Sequence, residues 1–411
     1  MSIQSKFSRL GTDDAPGQEA RLATSAGDWK KGDALPGRAV DFSHGDVDAH
    51  PPAPGALEAF TQGVGRGGAQ AYTEYRGAAA IRDLLAGRLA ELTGAPVDAR
   101  DGLILTPGTQ GALFLALAAT VAAGDKVAIV QPDYFANRKL VAFLDGEALP
   151  VRLDRAAPSG TASDAGSGGA GLDLDALAAA FRAGAKVFLF SNPNNPTGVV
   201  YSAGEIARIA ALAAEHGATV IVDALYARLL YDGVAYGHLR AVAGAADAVV
   251  TIMGPSKTES LSGYRLGVAF GPAAIIERME KLQAIVSLRA AGYSQAVLQT
   301  WLAEPAGWLK HRIRAHQRIR DDLVAAFRAI DSCTLRTPGA GSYLFPEMPE
   351  LAIAPADFVT ALREQAAVTV TPGTEFSPHA ARSIRLNFSQ DRAAAVAAVG
   401  RLAALVERYR A

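Results

Sequence analysis

The stretch from Ala248 to Gly271, AVVTIMGPSKTESLSGYRLGVAFG, joins two apolar runs through a polar turn. The first run, VVTI, is rich in β-branched residues and predicts a buried strand that ends before a Gly-Pro pair. Lys257 follows among hydroxyl side chains, and Arg265 comes shortly before the second apolar run. A turn lysine is most often solvent-exposed, and Arg265 could simply pair with a carboxylate. The strands on both sides nevertheless place this turn at the edge of a sheet, where α/β proteins bind their ligands.

Apolar runs of the strand type occur between Gly102 and Gly271 and alternate with Ala/Leu-rich helical segments. They are GLILTPG, DKVAIVQPD, EALPVRLD, KVFLFSNP, ATVIVDAL, DAVVTIMG and YRLGVAFG. Continuous apolar strands that alternate with helices are typical of parallel sheets covered on both faces. The sequence therefore predicts an α/β fold, with a mostly parallel seven-stranded sheet and helices on both of its faces.

The pattern changes beyond about residue 285, where a long charged helix, short strands and a final helix predict a smaller α+β domain. We assign residues 1–53 to an N-terminal arm and part of the small domain. Residues 54–288 are assigned to the large cofactor-binding domain and residues 289–411 to the small domain. The Gly/Ser-rich insert 154–175 cannot bury enough surface to order itself, so we expect a mobile surface loop.

Composition argues against several classes of protein. With 411 residues the chain can bury a large core and form two domains. Its 40 basic and 41 acidic side chains give a net charge of −1, so no overall field attracts nucleic acid or a membrane. No apolar stretch approaches the ~20 residues that span a bilayer, and no signal peptide is evident. The single cysteine, Cys333, cannot form an internal disulfide, and we expect a cytoplasmic protein.

Polar residues follow several of the predicted strands. The first strand runs into Gly108, Thr109 and Gln110, which open a helix. Such turns offer free N–H groups to a phosphate, although a plain strand-to-helix turn is the alternative. Tyr134 follows the second strand and could either stack on a ligand or pack at the rim. Asn195 stands in NPNNPTG, a segment too polar and too rigid for a simple core, which favours a functional role.

Two charged residues near strand ends also need partners. Asp223 ends the buried strand TVIVD, with Tyr226 three residues later. This carboxylate could bind a ligand, or it could cap a helix. Arg385 lies inside the strand pattern SIRLNFS and requires an anionic partner.

A single ligand would satisfy all of these residues. It carries a phosphate for the glycine-containing turn, a flat ring for the aromatic residue and a basic ring nitrogen for the strand-end carboxylate. It also carries a ring oxygen for the amide and the tyrosine, and an aldehyde for Lys257. Pyridoxal phosphate has each of these features.

The motifs NPNNPTG, DALY and SKTESLSGYRLG occur here in that chain order, together with YTEYRG, TPGTQGAL, PGAGSYLFP, VTPGTEF and SIRLNFS. In these motifs the chain resembles a fold-type-I pyridoxal-phosphate enzyme of the class I/II aminotransferase family, over most of residues 40–411. The resemblance implies that Lys257 forms the internal aldimine with pyridoxal 5'-phosphate and moves the proton between the substrate Cα and the cofactor. Asp223 would keep the pyridine nitrogen protonated. Asn195 and Tyr226 would hydrogen-bond the ring's phenolic oxygen.

The resemblance also implies how the rest of the cofactor and the substrate are held. Tyr134 would stack on the ring. Arg385 would clamp the substrate α-carboxylate at two points, and Gly45 and Asn195 would lie beside the substrate. The phosphate would be held by Gly108, Thr109, Gln110, Ser256 and Arg265, and by Tyr72 from the partner subunit of a homodimer with shared active sites. Gly254 stands where many relatives have a serine whose hydroxyl contacts the phosphate.

Transamination between an L-amino acid and a 2-oxo acid is the first reaction that the resemblance implies. The same residues also support lyase or oxidase chemistry on an amino acid, and a non-catalytic cofactor-binding regulator is a remote alternative. Arg289 is one residue out of register with the second carboxylate-binding arginine of dicarboxylate-specific relatives. It could be that residue or a surface arginine, and the amino donor stays open accordingly.

Other motifs predict no competing site. GVGRGG, residues 63–68, follows no predicted strand and is predicted to be a flexible turn rather than a dinucleotide loop. The histidines show no metal-ligand spacing, so no metal is expected. His311 and His316 are expected on the wet face of a charged helix.

Overall fold

The strands and helices below are those of the computed structural model, which describes residues 2–11, 29–154 and 169–411. The strands are β1 (Val40–Asp41), β2 (Leu103–Pro107), β3 (Lys126–Gln131), β4 (Glu147–Arg152), β5 (Ala185–Ser191), β6 (Thr219–Asp223), β7 (Val249–Met253), β8 (Leu266–Phe270), β9 (Tyr343–Leu344), β10 (Val368–Thr369), β11 (Thr371–Pro372) and β12 (Ile384–Asn387). The α-helices are α1 (Ile3–Ser8), α2 (Ala56–Gly65), α3 (Gly68–Ala71), α4 (Ala79–Thr93), α5 (Gly108–Thr120), α6 (Phe135–Phe143), α7 (Leu174–Arg182), α8 (Ala203–His216), α9 (Ala273–Val286), α10 (Gly292–Gln295), α11 (Trp308–Arg328), α12 (Pro355–Ala366) and α13 (Arg392–Arg408). Short 3-10 helices cover Leu239–Ala241, Ala246–Ala248, Ser262–Tyr264, Ala296–Gln299 and Gly373–Glu375.

The apolar runs predicted as strands form one seven-stranded sheet, in the order β2-β8-β7-β6-β5-β3-β4. Strand β8 is antiparallel to both of its neighbours, and every other neighbouring pair is parallel. The predicted mostly parallel seven-stranded sheet is therefore confirmed. Because β5, β6 and β7 run in the same direction, the loops that follow them meet at one edge of the sheet.

Helices cover both faces of this sheet, as the sequence predicts. Side chains alternate between two cores along each strand. On β2, Leu103 and Leu105 pack on one face with α4, α7 and α8, while Ile104 packs on the other face with α5, α6 and α9. On β3, Val130 packs in the same core as Leu103, and Ile129 packs in the same core as Ile104. This alternation is what a strand buried on both faces requires.

A separate core lies beneath a three-stranded sheet, β11-β12-β9, and a parallel pair, β1-β10. It contains Phe42, Leu323, Leu386 and Leu402, so the N-terminal strand packs with α11 and α13. This is the smaller α+β part of the predicted architecture.

The residues just beyond α9 pack with the large sheet. Ala290, Val297, Leu298 and Trp301 are buried in the same core as β2 and α4. Since the predicted division between 288 and 289 would cut through this core, we propose that the small domain begins after Leu302.

The glycine-rich segment 63–68 is not the predicted flexible turn. Gly63 and Gly65 lie in α2, and Gly68 begins α3. A Cβ on Gly63 would lie 2.6 Å from the carbonyl oxygen of Tyr293. A glycine at this position therefore lets the two segments approach closely.

Two further expectations concern the N-terminus and the Gly/Ser-rich insert. Helix α1 buries none of its residues, in keeping with an arm, and Arg9 pairs with Asp145 at 2.7 Å. Residues 12–28 and 155–168 lie outside the described part of the chain. The prediction of a mobile loop is wrong for its last residues. The Glu205 carboxylate accepts hydrogen bonds from the backbone N–H groups of residues 170–172 and so holds them in place.

Across the ranges that the structure describes, every helix is too short or too polar to cross a membrane.

Candidate active site

Two cavities meet at Lys257, in the loop that follows β7. The smaller has a volume of about 140 Å³ and the larger about 480 Å³. Ser256 and Lys257 line both. The other predicted residues that line the smaller cavity are Thr109, Gln110, Tyr134, Asn195, Asp223, Tyr226 and Arg265. The structure therefore brings together most of the residues predicted from the separate strand ends.

Asp223 is the last residue of β6 and lines the smaller cavity. Burial raises the pKa of this carboxyl to about 6, although the Leu225 N–H at 3.1 Å and the charge of Lys257 favour ionisation. Its side chain accepts a hydrogen bond from the backbone of Leu225, but this turn does not begin a helix. The helix-cap alternative is therefore wrong. A buried acid that faces a cavity gains most from a cationic ligand.

The β2–α5 turn contributes Thr109 and Gln110 to the lining of the same cavity. Helix α5 begins at Gly108, whose N–H donates to the Arg265 carbonyl at 3.0 Å, and no side chain caps the N–H groups that follow it. These N–H groups at the start of a helix suit an anion. Gly108 has φ +73°, and a Cβ there would clash with the guanidinium of Arg265. Arg265 itself donates to the carbonyl of Ser262 at 2.9 Å and forms no ion pair within the described residues. Free N–H groups beside an arginine suit a phosphate.

Gly254 approaches this turn closely. A Cβ at this position would lie 2.9 Å from the Thr109 methyl carbon and 3.1 Å from the Leu266 carbonyl oxygen. The space that a serine would need is therefore filled by Thr109, whose side chain lines the cavity.

Arg385 reaches the site from β12 of the second sheet. Its Nη1 donates to Asn195 Oδ1 at 3.2 Å, and its Nη2 donates to the Ser43 carbonyl at 3.0 Å. Its Nε is buried and has no hydrogen-bond partner in the described structure. No carboxylate pairs with Arg385 in the described ranges, so the anionic partner that the sequence predicted would be a ligand.

Asn195 is held by a network that the sequence analysis missed. Its backbone N–H donates to Ser191 Oγ at 3.1 Å, and Ser191 Oγ in turn donates to the buried carboxylate of Asp133. The Ser191 N–H also donates to Asp133 at 2.9 Å. Burial raises the pKa of Asp133 to about 7, against these hydrogen bonds. The carboxylate does not line the cavity, and no strand-end pattern distinguishes it from a turn residue.

Tyr343 was also missed as a site residue, although its segment PGAGSYLFP was noted. It lines the smaller cavity, and its hydroxyl oxygen lies 2.6 Å from that of Tyr226. A two-residue strand gives too little pattern for a sequence-based prediction. Tyr134, by contrast, lies where predicted, and its hydroxyl donates to Gln110 at 3.1 Å.

The loop that carries Lys257 is anchored from behind. Arg228 bonds the buried carboxylate of Glu259 and both carboxylate oxygens of Glu304, the latter at 2.8 Å. Arg312 donates to Ser260 Oγ at 2.9 Å. These contacts fix the backbone on the far side of the lysine, which favours a defined position for its amine.

Gly45 lines the larger cavity, as does His316. The expectation that His316 lies on a wet face is wrong. It is buried, with Nδ1 2.9 Å from the Arg312 carbonyl and Nε2 2.9 Å from Ser389 Oγ, and burial lowers its pKa to about 3. His311 is exposed. Within the described residues, no cluster of three or more His, Cys, Asp or Glu side chains could hold a metal ion.

Tyr72 and Arg289 lie away from both cavities of their own chain. The Tyr72 side chain is 80% exposed, and the Arg289 guanidinium lies 5.4 Å from the ring centres of Tyr72 and Tyr75. Arg289 also donates to the Thr73 carbonyl at 2.5 Å. Neither residue lines the two cavities that meet at Lys257.

Pyridoxal phosphate fits this arrangement of residues. The buried acid suits its ring nitrogen, the uncapped helix start with Arg265 suits its phosphate, and Lys257 suits its aldehyde. The Nε of Arg385 has no hydrogen-bond partner among the described residues, which suits a group that binds a substrate carboxylate.

Comparisons with known proteins agree with the site. Residues 39–402 match the family described as "Aminotransferase class I and II". A crystal structure of an aspartate aminotransferase from Rhodobacter sphaeroides 2.4.1 is 66% identical, covers 100% of both chains and has a TM-score of 0.93. An aspartate aminotransferase from Musicola paradisiaca is 27% identical and kynurenine–oxoglutarate transaminase 1 from Homo sapiens 28%. They cover 85% and 71% of this chain, and 85% and 70% of their own lengths. This protein therefore belongs to the class I and II aminotransferase family, as a pyridoxal-phosphate-dependent transferase of amino groups.

Proposed function

We propose that Lys257 is the attachment point of the cofactor and that the protein transfers amino groups between dicarboxylic substrates. When bound, pyridoxal phosphate supplies an aldehyde and a ring that accepts electrons. The observation that supports the assignment of the site is the position of Lys257, which lines both cavities and shares the smaller one with Asp223. The lyase, oxidase and regulator alternatives find no support in the relatives, whose names describe aminotransferases.

The chain's own residues divide the work between charge and proton transfer. Asp223 keeps a ring-nitrogen proton in place, because a buried carboxylate is stabilised by an adjacent cation. Lys257 Nζ, once free, accepts and returns the proton at the substrate Cα. Asn195 and Tyr226 hold the phenolic oxygen on the edge of the ring. Arg385 binds the substrate α-carboxylate through its unpartnered Nε, which orients the Cα towards Lys257.

Arg385→Lys is expected to weaken substrate binding more than it slows turnover. Lysine cannot make the two-point contact, and a charged hydrogen bond is worth about 1.5–3 kcal/mol, so KM should rise roughly 10- to 150-fold. Steady-state kinetics give KM and kcat separately. Arg320→Lys is the control, because Arg320 also lies over a tyrosine, at 4.3 Å from the Tyr231 ring, but hydrogen-bonds Asp321 and the Pro338 carbonyl. An unchanged kcat/KM in the Arg385 variant would show that another group binds the carboxylate.

We also propose a homodimer whose interface includes the surface around Tyr72. The exposed apolar side chains of Tyr75, Ile285, Val286 and Leu288 support this, because Ile285 is 81% exposed and such residues are rarely left to solvent together. The dimer would place Tyr72 at the phosphate of the partner subunit. The single cysteine supports a cytoplasmic location.

The dicarboxylate specificity rests on Arg289. Its guanidinium stacks beside Tyr72, so an interface that brings Tyr72 into the partner's site brings a cation with it. That cation would bind the side-chain carboxylate of aspartate or glutamate, and 2-oxoglutarate would be the acceptor. The name of the 66% identical neighbour, an aspartate aminotransferase, supports the same substrates.

Arg289→Ala is expected to lower kcat/KM for aspartate and glutamate by about 100-fold, a loss of ~3 kcal/mol, and to leave a neutral amino acid such as alanine almost unaffected. Loss of the yellow absorbance on addition of each amino acid in turn measures this directly. Lys281→Ala is the matched control, since it removes a cation from nearby α9 that pairs only with Glu277 at 2.7 Å among the described residues. Equal losses for acidic and neutral donors would refute the assignment of Arg289.

A further inference from the structure

Tyr343 makes two separate contacts inside the site and has no role in the function proposed above. It is buried on β9 and lines the smaller cavity together with Lys257 and Asp223. Its hydroxyl meets the hydroxyl of Tyr226, and the face of its ring meets Arg385. One side chain therefore contacts the residue assigned to the cofactor oxygen and the residue assigned to the substrate carboxylate.

The hydroxyl contact is a hydrogen bond between two buried phenols, 2.6 Å long. Tyr226 donates this hydrogen bond and Tyr343 accepts it. Burial raises the pKa of Tyr343, but the charges of Arg385 and Lys257 outweigh burial and lower it overall. Burial and the neighbouring Tyr343 phenol raise the pKa of Tyr226. Tyr226 therefore keeps its proton, and the position of its hydroxyl depends on Tyr343.

The ring contact fixes the plane of the Arg385 guanidinium. The guanidinium carbon lies 4.4 Å from the centre of the Tyr343 ring and 4.7 Å from the centre of the Phe376 ring. A planar cation that contacts two aromatic rings loses freedom to rotate. The in-plane donors, including the unpartnered Nε, are thereby held in a fixed direction.

We propose that Tyr343 is a positioning residue with two separable effects: its ring orients the carboxylate clamp at Arg385, and its hydroxyl positions the hydroxyl of Tyr226. This inference rests on the roles proposed above for Arg385 and Tyr226. Because the hydroxyl and the ring are different parts of the side chain, two substitutions at the same position can separate the effects.

The experiment compares Tyr343→Phe with Tyr343→Leu in the holoenzyme and measures kcat, and the dissociation constant of succinate, a carboxylate that has no amino group to react. Tyr343→Phe keeps the ring, so succinate binding should stay within about twofold, while kcat falls about tenfold. Tyr343→Leu removes the ring as well, so succinate binding should weaken about tenfold or more. Phe376→Leu removes only the other ring and should weaken succinate without the tenfold loss in kcat that Tyr343→Phe shows.

Tyr231→Phe is the matched control, because Tyr231 also carries an arginine over its ring and donates its hydroxyl to a backbone carbonyl, at Gly341. It should change neither measurement. Unchanged succinate binding in Tyr343→Leu, or equal losses of succinate binding in both Tyr343 variants, would overturn the inference. Succinate binding by Arg385→Lys, measured in parallel, distinguishes failure of the proposed carboxylate clamp from failure of the role of Tyr343. If that variant also binds succinate normally, the proposed carboxylate clamp fails; if it alone is impaired, only the role of Tyr343 fails.

Discussion

Replacing Lys257 with alanine is expected to abolish transamination. Lys257 is the only lysine that lines either cavity within the described structure, so no other amine can take its place at the aldehyde or at the substrate Cα. Loss of both covalent attachment and proton transfer should lower kcat by about 10⁴-fold or more. Single-turnover kinetics measure the remaining activity. Borohydride reduction followed by peptide mass analysis should find the cofactor on Lys257 in the wild type and on no residue in the variant.

The control for this experiment is Lys186→Ala, which removes an exposed lysine that pairs with Asp125 at 2.7 Å. It should keep its activity and its reducible cofactor. Recovery of the reduced cofactor on any residue other than Lys257 in the wild-type protein would contradict the assignment, even if the Lys257 variant were inactive. The mass measurement therefore separates a lost attachment point from a merely damaged site.

Asp223→Asn is expected to give the second largest loss, because asparagine keeps the size of the side chain and removes its charge. The carboxyl is half-buried where it lines the small cavity, and desolvation raises its pKa to about 6, so it is ionised near neutral pH and acts in a medium of lower dielectric than water. A preorganised charge of this kind is worth about 3–4 kcal/mol in the transition state, which corresponds to a loss of roughly 10²–10³-fold in kcat.

Asp133→Asn is the matched control for the charge at Asp223. Asp133 is more deeply buried, at 2% exposed, and its pKa is also raised, to about 7, but it bonds Ser191 and does not line the cavity. Stopped-flow measurement of the half-reaction with one amino acid should show the loss in the Asp223 variant and a much smaller change in the control. Similar losses in both would mean that burying any carboxylate near β6 matters, and not the contact with the cofactor.

The large sheet and most of the site were predictable because both produce local patterns. Buried strands are continuous apolar runs, and polar residues such as Asp223 and Asn195 stand out directly after them. The parallel arrangement then brings separate strand ends to one edge, as the smaller cavity confirms.

The residues that were missed depend on contacts distant in sequence. Tyr343 meets Tyr226 across 117 positions, from a strand of two residues. Asp133 acts through Ser191, which nothing near it in the sequence indicates. Such contacts leave no periodic pattern along the chain.

The prediction that His316 is exposed was wrong for a different reason. Many charged residues surround it on α11, and these suggested solvent. Its spacing from Arg312, Ile319 and Leu323 nevertheless follows one helical face, and all four are buried. Helical periodicity, applied to each residue in turn, would have placed it correctly.

The close approach of Gly254 to Thr109 has a consequence for how this protein can vary. A Cβ at 254 would lie too close to the threonine methyl group, so a serine there requires either a shift of the Thr109 side chain or a smaller residue at 109. The costs of changing the two positions should therefore be non-additive, because a smaller residue at 109 relieves the overlap that a serine at 254 creates. The room beside the phosphate turn is thus shared between the two side chains, and a gain in volume at one position limits the other.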